Sequence, residues 1–115
     1  MNDRRTMDLA ERRAADRTLA QRRQDARRDY VRYAEQEATA DREYAVTMAK
    51  TLARCRADGE SVGAAEIAAK AEASEAKFKR DIAKSLAKAA LLRIEETERE
   101  AVTVRDIHAS SERVD

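Results

Sequence analysis

A single histidine, His108, stands two residues after Asp106, and an acidic run, Glu95-Glu96-Thr97-Glu98-Arg99-Glu100, precedes both. Carboxylate and imidazole groups can hold a metal ion or move protons, provided their side chains converge. On a helix, residues two apart point to different sides, so Asp106 and His108 form no metal pair. Glu96 and Glu100 do share a face. A carboxylate-bridged centre in a helical bundle, however, needs further inward Glu and Glu-x-x-His sets, which the sequence lacks. There is also no glycine-rich phosphate loop, no cysteine cluster and no nucleophile elbow. These residues predict a non-enzyme with no metal and no cofactor. His108 reads as an ordinary exposed histidine, and the acidic run as a solvated or arginine-paired face.

Binding chemistry is better represented. Lys77, Arg80, Lys84 and Lys88 recur at spacings of three, four and four, which places a basic stripe along one side of a helix. Such a stripe could follow a phosphate backbone, with an affinity that falls steeply with salt, or meet an acidic protein. With Phe78, Ile82 and Leu86 assigned to the opposite, inward side, no aromatic residue lies among the cations to stack bases. A second set, Leu91, Leu92, Ile94, Val102, Val104 and Ile107, points in more directions than one seam can cover. These residues predict contact between copies, in a dimer or a four-helix arrangement.

The elements that carry these residues are legible from composition. The 115 residues contain no proline, two glycines and no tryptophan, and 41% are charged against 3% aromatic. Alanine supplies most of the apolar count, and one methyl group removes little area from water. A mixture of Ala, Glu, Lys, Arg and Leu builds long helices and coiled coils. High charge with low hydrophobicity also marks disordered chains. Here opposite charges cancel to a net +1 and nearly every residue type is a good helix former, so helix is expected. No stretch approaches the roughly 20 apolar residues that span a bilayer. The N-terminal residues lack the apolar run of a signal peptide. A lone cysteine, Cys55, excludes an internal disulfide, fits a reducing, cytoplasmic location and reads as a small apolar residue on a buried face.

Turn punctuation occurs once, at Asp58-Gly59-Glu60-Ser61-Val62-Gly63. Gly59 suits the left-handed position that closes a helix, and Ser61 can cap the next. Arg54 and Arg56 precede the turn and Glu66 follows it, with signs that complement the helix dipoles. The first arm carries a stripe of Tyr30, Ala34, Ala38, Ala45, Met48, Leu52 and Cys55, blemished by Asp41 and Glu37, which require a basic partner or the seam's edge. The second arm answers with Ile67, Ala71, Phe78, Ile82, Leu86 and Ala89. The expected fold is therefore all-α: a long antiparallel helical hairpin of coiled-coil type, continuous or gently kinked near residues 71–75. Residues 1–28 form an Arg-rich helical extension expected to fray unless packed, since, after Met1, Met7, Leu9 and Leu19 are its only large apolar side chains. Residues 29–108 form the hairpin, with its turn at 58–63, and 109–115 a loose tail.

Charge supports the same reversal. Residues 1–33 hold ten arginines against six acids, whereas residues 77–93 hold Lys77, Lys79, Arg80, Lys84, Lys88 and Arg93 against Asp81 alone. Folding at about residue 60 places position 25 opposite position 96. Arg22, Arg23, Arg27 and Arg28 then face Glu95, Glu96, Glu98 and Glu100. Exposed pairs contribute only about 0.2–1 kcal/mol each, so these blocks select register more than they stabilise.

Residues 29–112 carry a Tyr/Ala-rich first helix, an Asp-Gly turn and an Ala-rich short segment. A Lys-x-x-Arg-Asp-Ile-Ala run (Lys77 to Ala83) then opens a long helix that ends near Val104-Arg105-Asp106-Ile107. This pattern resembles small coiled-coil proteins encoded in phage and prophage early regions, beside replication and recombination genes. The Arg-rich segment before residue 29 has no counterpart in it. The resemblance implies a setting, an accessory role around phage DNA metabolism or host defence, rather than a mechanism. Three functions follow as expectations: an oligomeric adaptor or inhibitor acting on a protein partner, a nucleic-acid-binding accessory protein, or a structural assembly component.

Overall fold

The computed structural model describes residues 8–112, with side chains to residue 110. Two helices, α1 (Leu9–Ala57) and α2 (Val62–Glu112), pack as an antiparallel hairpin, the all-α fold the sequence predicts. Asp8 starts α1: its carboxylate accepts from the Glu11 N–H at 2.8 Å and its carbonyl from the Arg12 N–H at 2.9 Å. Met7, Arg4, Arg5 and the last three residues of the expected tail lie outside the described residues.

The reversal follows the turn chemistry. Gly59 has φ +86°, where an L side chain is strained. Its N–H donates to the Arg56 carbonyl at 3.1 Å, and the Glu60 N–H donates to the Cys55 carbonyl at 3.0 Å. Together these bonds close α1 in a Schellman motif. Arg56 adds a guanidinium donor to the Glu60 carbonyl at 2.8 Å. Ser61 then caps α2, its hydroxyl accepting from the Ala64 N–H at 3.2 Å. Arg54 and Arg56 occupy the last turn of α1, but Glu66 falls beyond the first turn of α2, which contains no acid.

The contacts divide the chain into two units, Tyr30–Lys88 and the described parts of Met1–Asp29 with Ala89–Asp115. In Tyr30–Lys88 the seam is made of small residues. Ala65, Ala69, Ala73, Ala83 and Ala87 of α2 are buried against Ala40, Thr51 and Cys55 of α1. In the other unit the buried residues are Leu19, Ala26, Ala90 and Thr97. Along each helix the buried residues are spaced by three, four, seven or sums of these, as in a heptad seam.

This corrects the expected inward stripe of α2. Ile67, Ala71, Phe78, Ile82, Leu86 and Ala89 are all exposed. In α1, Ala38 and Ala45 are exposed, Tyr30 borderline, and only Cys55 of the expected stripe is buried. Size decides the outcome. A run of alanines lets two backbones approach closely, and branched or aromatic side chains then fit only outside the contact. Hydropathy ranks Ile and Phe above Ala; packing here does the reverse.

α2 passes through residues 71–75 as one helix. Ala73 is sealed in the seam, and Glu72 is held from α1 by Thr51 Oγ at 2.9 Å and Arg54 at 2.7 Å. Residues 109–112, expected as a tail, are the last turn of α2, consistent with the absence of proline and glycine there.

Candidate interaction face

Within Tyr30–Lys88, α2 turns two different flanks outward. Phe78, Ile82 and Leu86, four residues apart, carry large apolar side chains into solvent, Phe78 being 65% exposed; Ile67, eleven residues or about three turns before Phe78, is 72% exposed. An open groove of about 560 Å³ runs beside Ile82, lined across the hairpin by Arg32, Thr39 and Glu43.

The other flank bears Lys77, Lys84 and Lys88, all exposed and without an ion pair among the described residues. Arg80 does not join them. Its guanidinium reaches Asp41 of α1 at 3.3 Å and Asp81 at 3.3 Å, and lies over the Tyr44 ring, 5.1 Å from the centroid. The hydrogen bond to Asp41 is the first cause that raises its pKa further. Arg80 lies seven residues from both Ala73 and Ala87, so it occupies a seam position, half-buried. The expected four-cation stripe is thus a three-lysine flank plus a seam arginine. Asp41, expected to need a basic partner, has found one.

In the second unit, the six apolar candidates separate. Leu91, Leu92, Val102 and Ile107 are exposed, whereas Ile94 and Val104 are half-buried, at heptad spacing with buried Ala90 and Thr97. Of the arginines expected to pair with the acidic run, Arg22 and Arg27 reach it, whereas Arg28 approaches Asp25 at 3.8 Å within α1. Arg22 holds Glu100 with two bonds, at 2.7 and 3.2 Å, and Arg27 approaches Glu98 at 4.0 Å. Arg93 reaches Asp29 at 3.2 Å. The hydrogen bond from Arg22, together with its charge, holds Glu100 below the usual carboxylate range against the opposing effect of desolvation.

His108 is half-buried rather than exposed, and its Nε2 is shielded without a hydrogen-bond partner among the described residues. Among those residues, no group of three His, Cys, Asp or Glu side chains gathers to hold a metal. No described helix is long and apolar enough to cross a membrane. Exposed apolar side chains beside unpaired lysines are a surface suited to contact, and sequence reasoning missed the apolar half because it placed that half inside. The available signal was the alanine spacing, Ala65-Ala69-Ala73 and Ala83-Ala87-Ala90.

In comparisons with known proteins, no family model, no curated protein and no solved structure matches this chain.

Proposed function

We propose that this chain is a non-enzymatic helical interaction protein, a phage-like adaptor or inhibitor that acts on a protein partner in the bacterial cytoplasm and works as a homo-oligomer. One observation carries the contact role: Ile67, Phe78, Ile82 and Leu86 remain in solvent while the hairpin's own seam is filled by alanine. Fully burying a large apolar side chain contributes about 1.5–3 kcal/mol. Four such residues at helical spacing are therefore a ready anchor set for a partner helix or groove. The phage setting and the role in DNA metabolism or host defence rest on the resemblance of residues 29–112. The tagged chain and its Phe78→Glu/Ile82→Glu variant, used as baits in bacterial lysate, test the reading. A defined protein retained by the first and lost by the second is the expected result. Equal retention, or recovery of the chain alone, overturns it.

A second reading has its own observation. Phe78 is exposed between Lys77 and Lys79, and an aromatic ring beside cations can stack a base of single-stranded nucleic acid. Unchanged retention of single-stranded DNA at low salt by a Lys84→Glu/Lys88→Glu variant would remove the lysine flank from that reading.

A further inference from the structure

We infer that two copies of this chain pair across the groove beside Ile82, about a two-fold axis parallel to the helices, so that Glu43 of each copy meets Lys79 of the other. Every residue in this contact belongs to Tyr30–Lys88. The inference rests on the oligomer part of the proposed function; it draws Ile82 and Leu86 into the contact and leaves Ile67 and Phe78 to the protein partner.

The groove is long and its two walls match. Its first part, about 560 Å³, shares Thr39, Glu43 and Lys79 with a second part of about 500 Å³ that reaches Val46 and Glu75. Together they follow α1 from Arg32 to Thr47, about four turns. The α1 wall is a row at spacings of three and four, Gln36, Thr39, Glu43, Val46 and Lys50. The α2 wall is a row of the same spacing, Leu86, Ile82, Lys79, Glu75 and Glu72. Buried Ala40 and Ala83 lie between them, and Val46, Ile82 and Leu86 are left exposed along the opening.

The Asp41–Arg80 and Thr51–Glu72 contacts fix which residue of α2 stands level with each residue of α1. Gln36 is level with Leu86, Thr39 with Ile82, Glu43 with Lys79, Val46 with Glu75 and Lys50 with Glu72. Within one chain the central charges stay apart. Glu43 and Lys50 have no ion pair among the described residues, and Lys79 makes only a 3.8 Å contact with Glu75 of its own helix. A second copy supplies what is missing. Rotation about an axis parallel to the helices leaves every residue at its own height, so α1 of one copy lies on α2 of the other at these same levels. Glu43 then meets Lys79, and Lys50 meets Glu72, opposite in sign at both places, while Thr39 and Gln36 cover Ile82 and Leu86. Glu75 meets Val46, with Arg42 one turn away on the same rim. Arg32 and Glu35, the other charges lining the groove, stand toward Leu86, where the α2 row carries no charge. Four helices, each beside antiparallel neighbours, thus enclose the apolar residues that two leave open.

Sedimentation at micromolar concentration and cross-linking test the contact. The wild-type chain is expected to be a dimer. Glu43→Lys and Lys79→Glu should each weaken dimerisation at least about tenfold, because each sets like charges together at both repeats of the contact. The double variant should restore it, and circular dichroism checks that every variant remains helical. In a Cys55→Ala background, Thr39→Cys and Ile82→Cys chains mixed together should form a mixed disulfide on mild oxidation, faster than either chain links to itself. A monomeric wild-type chain overturns the inference, as does a dimer indifferent to the charge changes or a failed rescue. Faster self-linking overturns it too, because α1 would then lie on α1 and α2 on α2. Phe78 lines neither part of the groove, so Phe78→Glu should stay dimeric while losing the protein partner. A monomer that still captures a protein through Phe78 removes this inference and keeps the adaptor reading. A dimer that passes the swap, but whose Phe78→Glu variant captures as much as the wild type, does the reverse.

Discussion

Thr51, the largest fully buried side chain among the described residues, donates its hydroxyl to Glu72 Oε2 across 2.9 Å, and Arg54 occupies Oε1 of the same carboxylate at 2.7 Å. The Arg54 hydrogen bond first, then that of Thr51, hold Glu72 below the usual carboxylate range. Arg22 does the same for Glu100 in the other unit. A depressed folded pKa means that the unfolded chain binds more protons in the window between the two values. This contribution is complete above the unfolded carboxylate pKa and is lost as pH falls through the folded value. The thermal midpoint should therefore fall on acidification from about pH 6 to about pH 3, and Glu72→Gln should flatten that dependence. A Glu72→Gln chain with an unaltered pH profile would show that this carboxylate is not coupled to folding.

The two glycines should respond with opposite signs. Gly59 has φ +86°, so Gly59→Ala forces an L side chain into a left-handed position and should cost about 1–2 kcal/mol. Gly63 lies in the first turn of α2, and a Cβ built there meets nothing within 4 Å. Gly63→Ala should stabilise by about 0.5–1 kcal/mol through a less flexible unfolded chain. Urea midpoints of the two variants, on either side of the wild-type value, check the pair.

The reversal was legible because its signals are local: among the described residues Gly59 supplies the one positive φ, Ser61 the cap, and no other break interrupts the helices. Register was legible because charge is long-ranged and arranged in blocks, as the Arg22–Glu100 and Arg27–Glu98 contacts show. The seam was not. α2 carries two helically periodic stripes, one of Ile67, Phe78, Ile82 and Leu86 and one of alanines, and periodicity alone cannot rank them. Hydropathy chose the larger residues, whereas close approach of two backbones chose the smaller. Assigning Phe78 inward then placed Arg80 outward, so one error in ranking produced the other. Asp41, already marked as needing a cation, pointed to Arg80 and could have corrected both.

Cys55 should be a slow thiol. It is buried at the end of α1, and its pKa is pushed up first by a hydrogen bond with the Glu60 side chain and then by burial. Both effects disfavour the thiolate that attacks disulfide reagents. Native protein should react with an aromatic disulfide at near-neutral pH on the order of a hundredfold more slowly than the urea-unfolded chain. Glu60→Gln should raise the native rate by removing the leading cause of the shift. Equal native and unfolded rates would contradict the burial of this side chain.

Alanine at the seam is a size requirement, and one substitution made at two positions separates it from helix propensity. Ala73 is completely sealed, four residues from Ala69 and beside Glu72, which α1 grips through Thr51 and Arg54. Ala73→Leu adds three carbons where the helices touch, and overpacking of this kind costs about 1–3 kcal/mol. Because the added bulk must push the helices apart, the Thr51–Glu72 bond should lengthen or break as well. Ala71, two residues earlier, faces solvent. Ala71→Leu keeps a strong helix former on the surface and should change stability by less than about 0.5 kcal/mol. Urea denaturation measures both, and amide exchange at Thr51 and Glu72 reports the local opening expected only for Ala73→Leu. If Ala73→Leu matched Ala71→Leu in stability, the two helices would not meet at this alanine, and the exposed position of Phe78 would have to be drawn again.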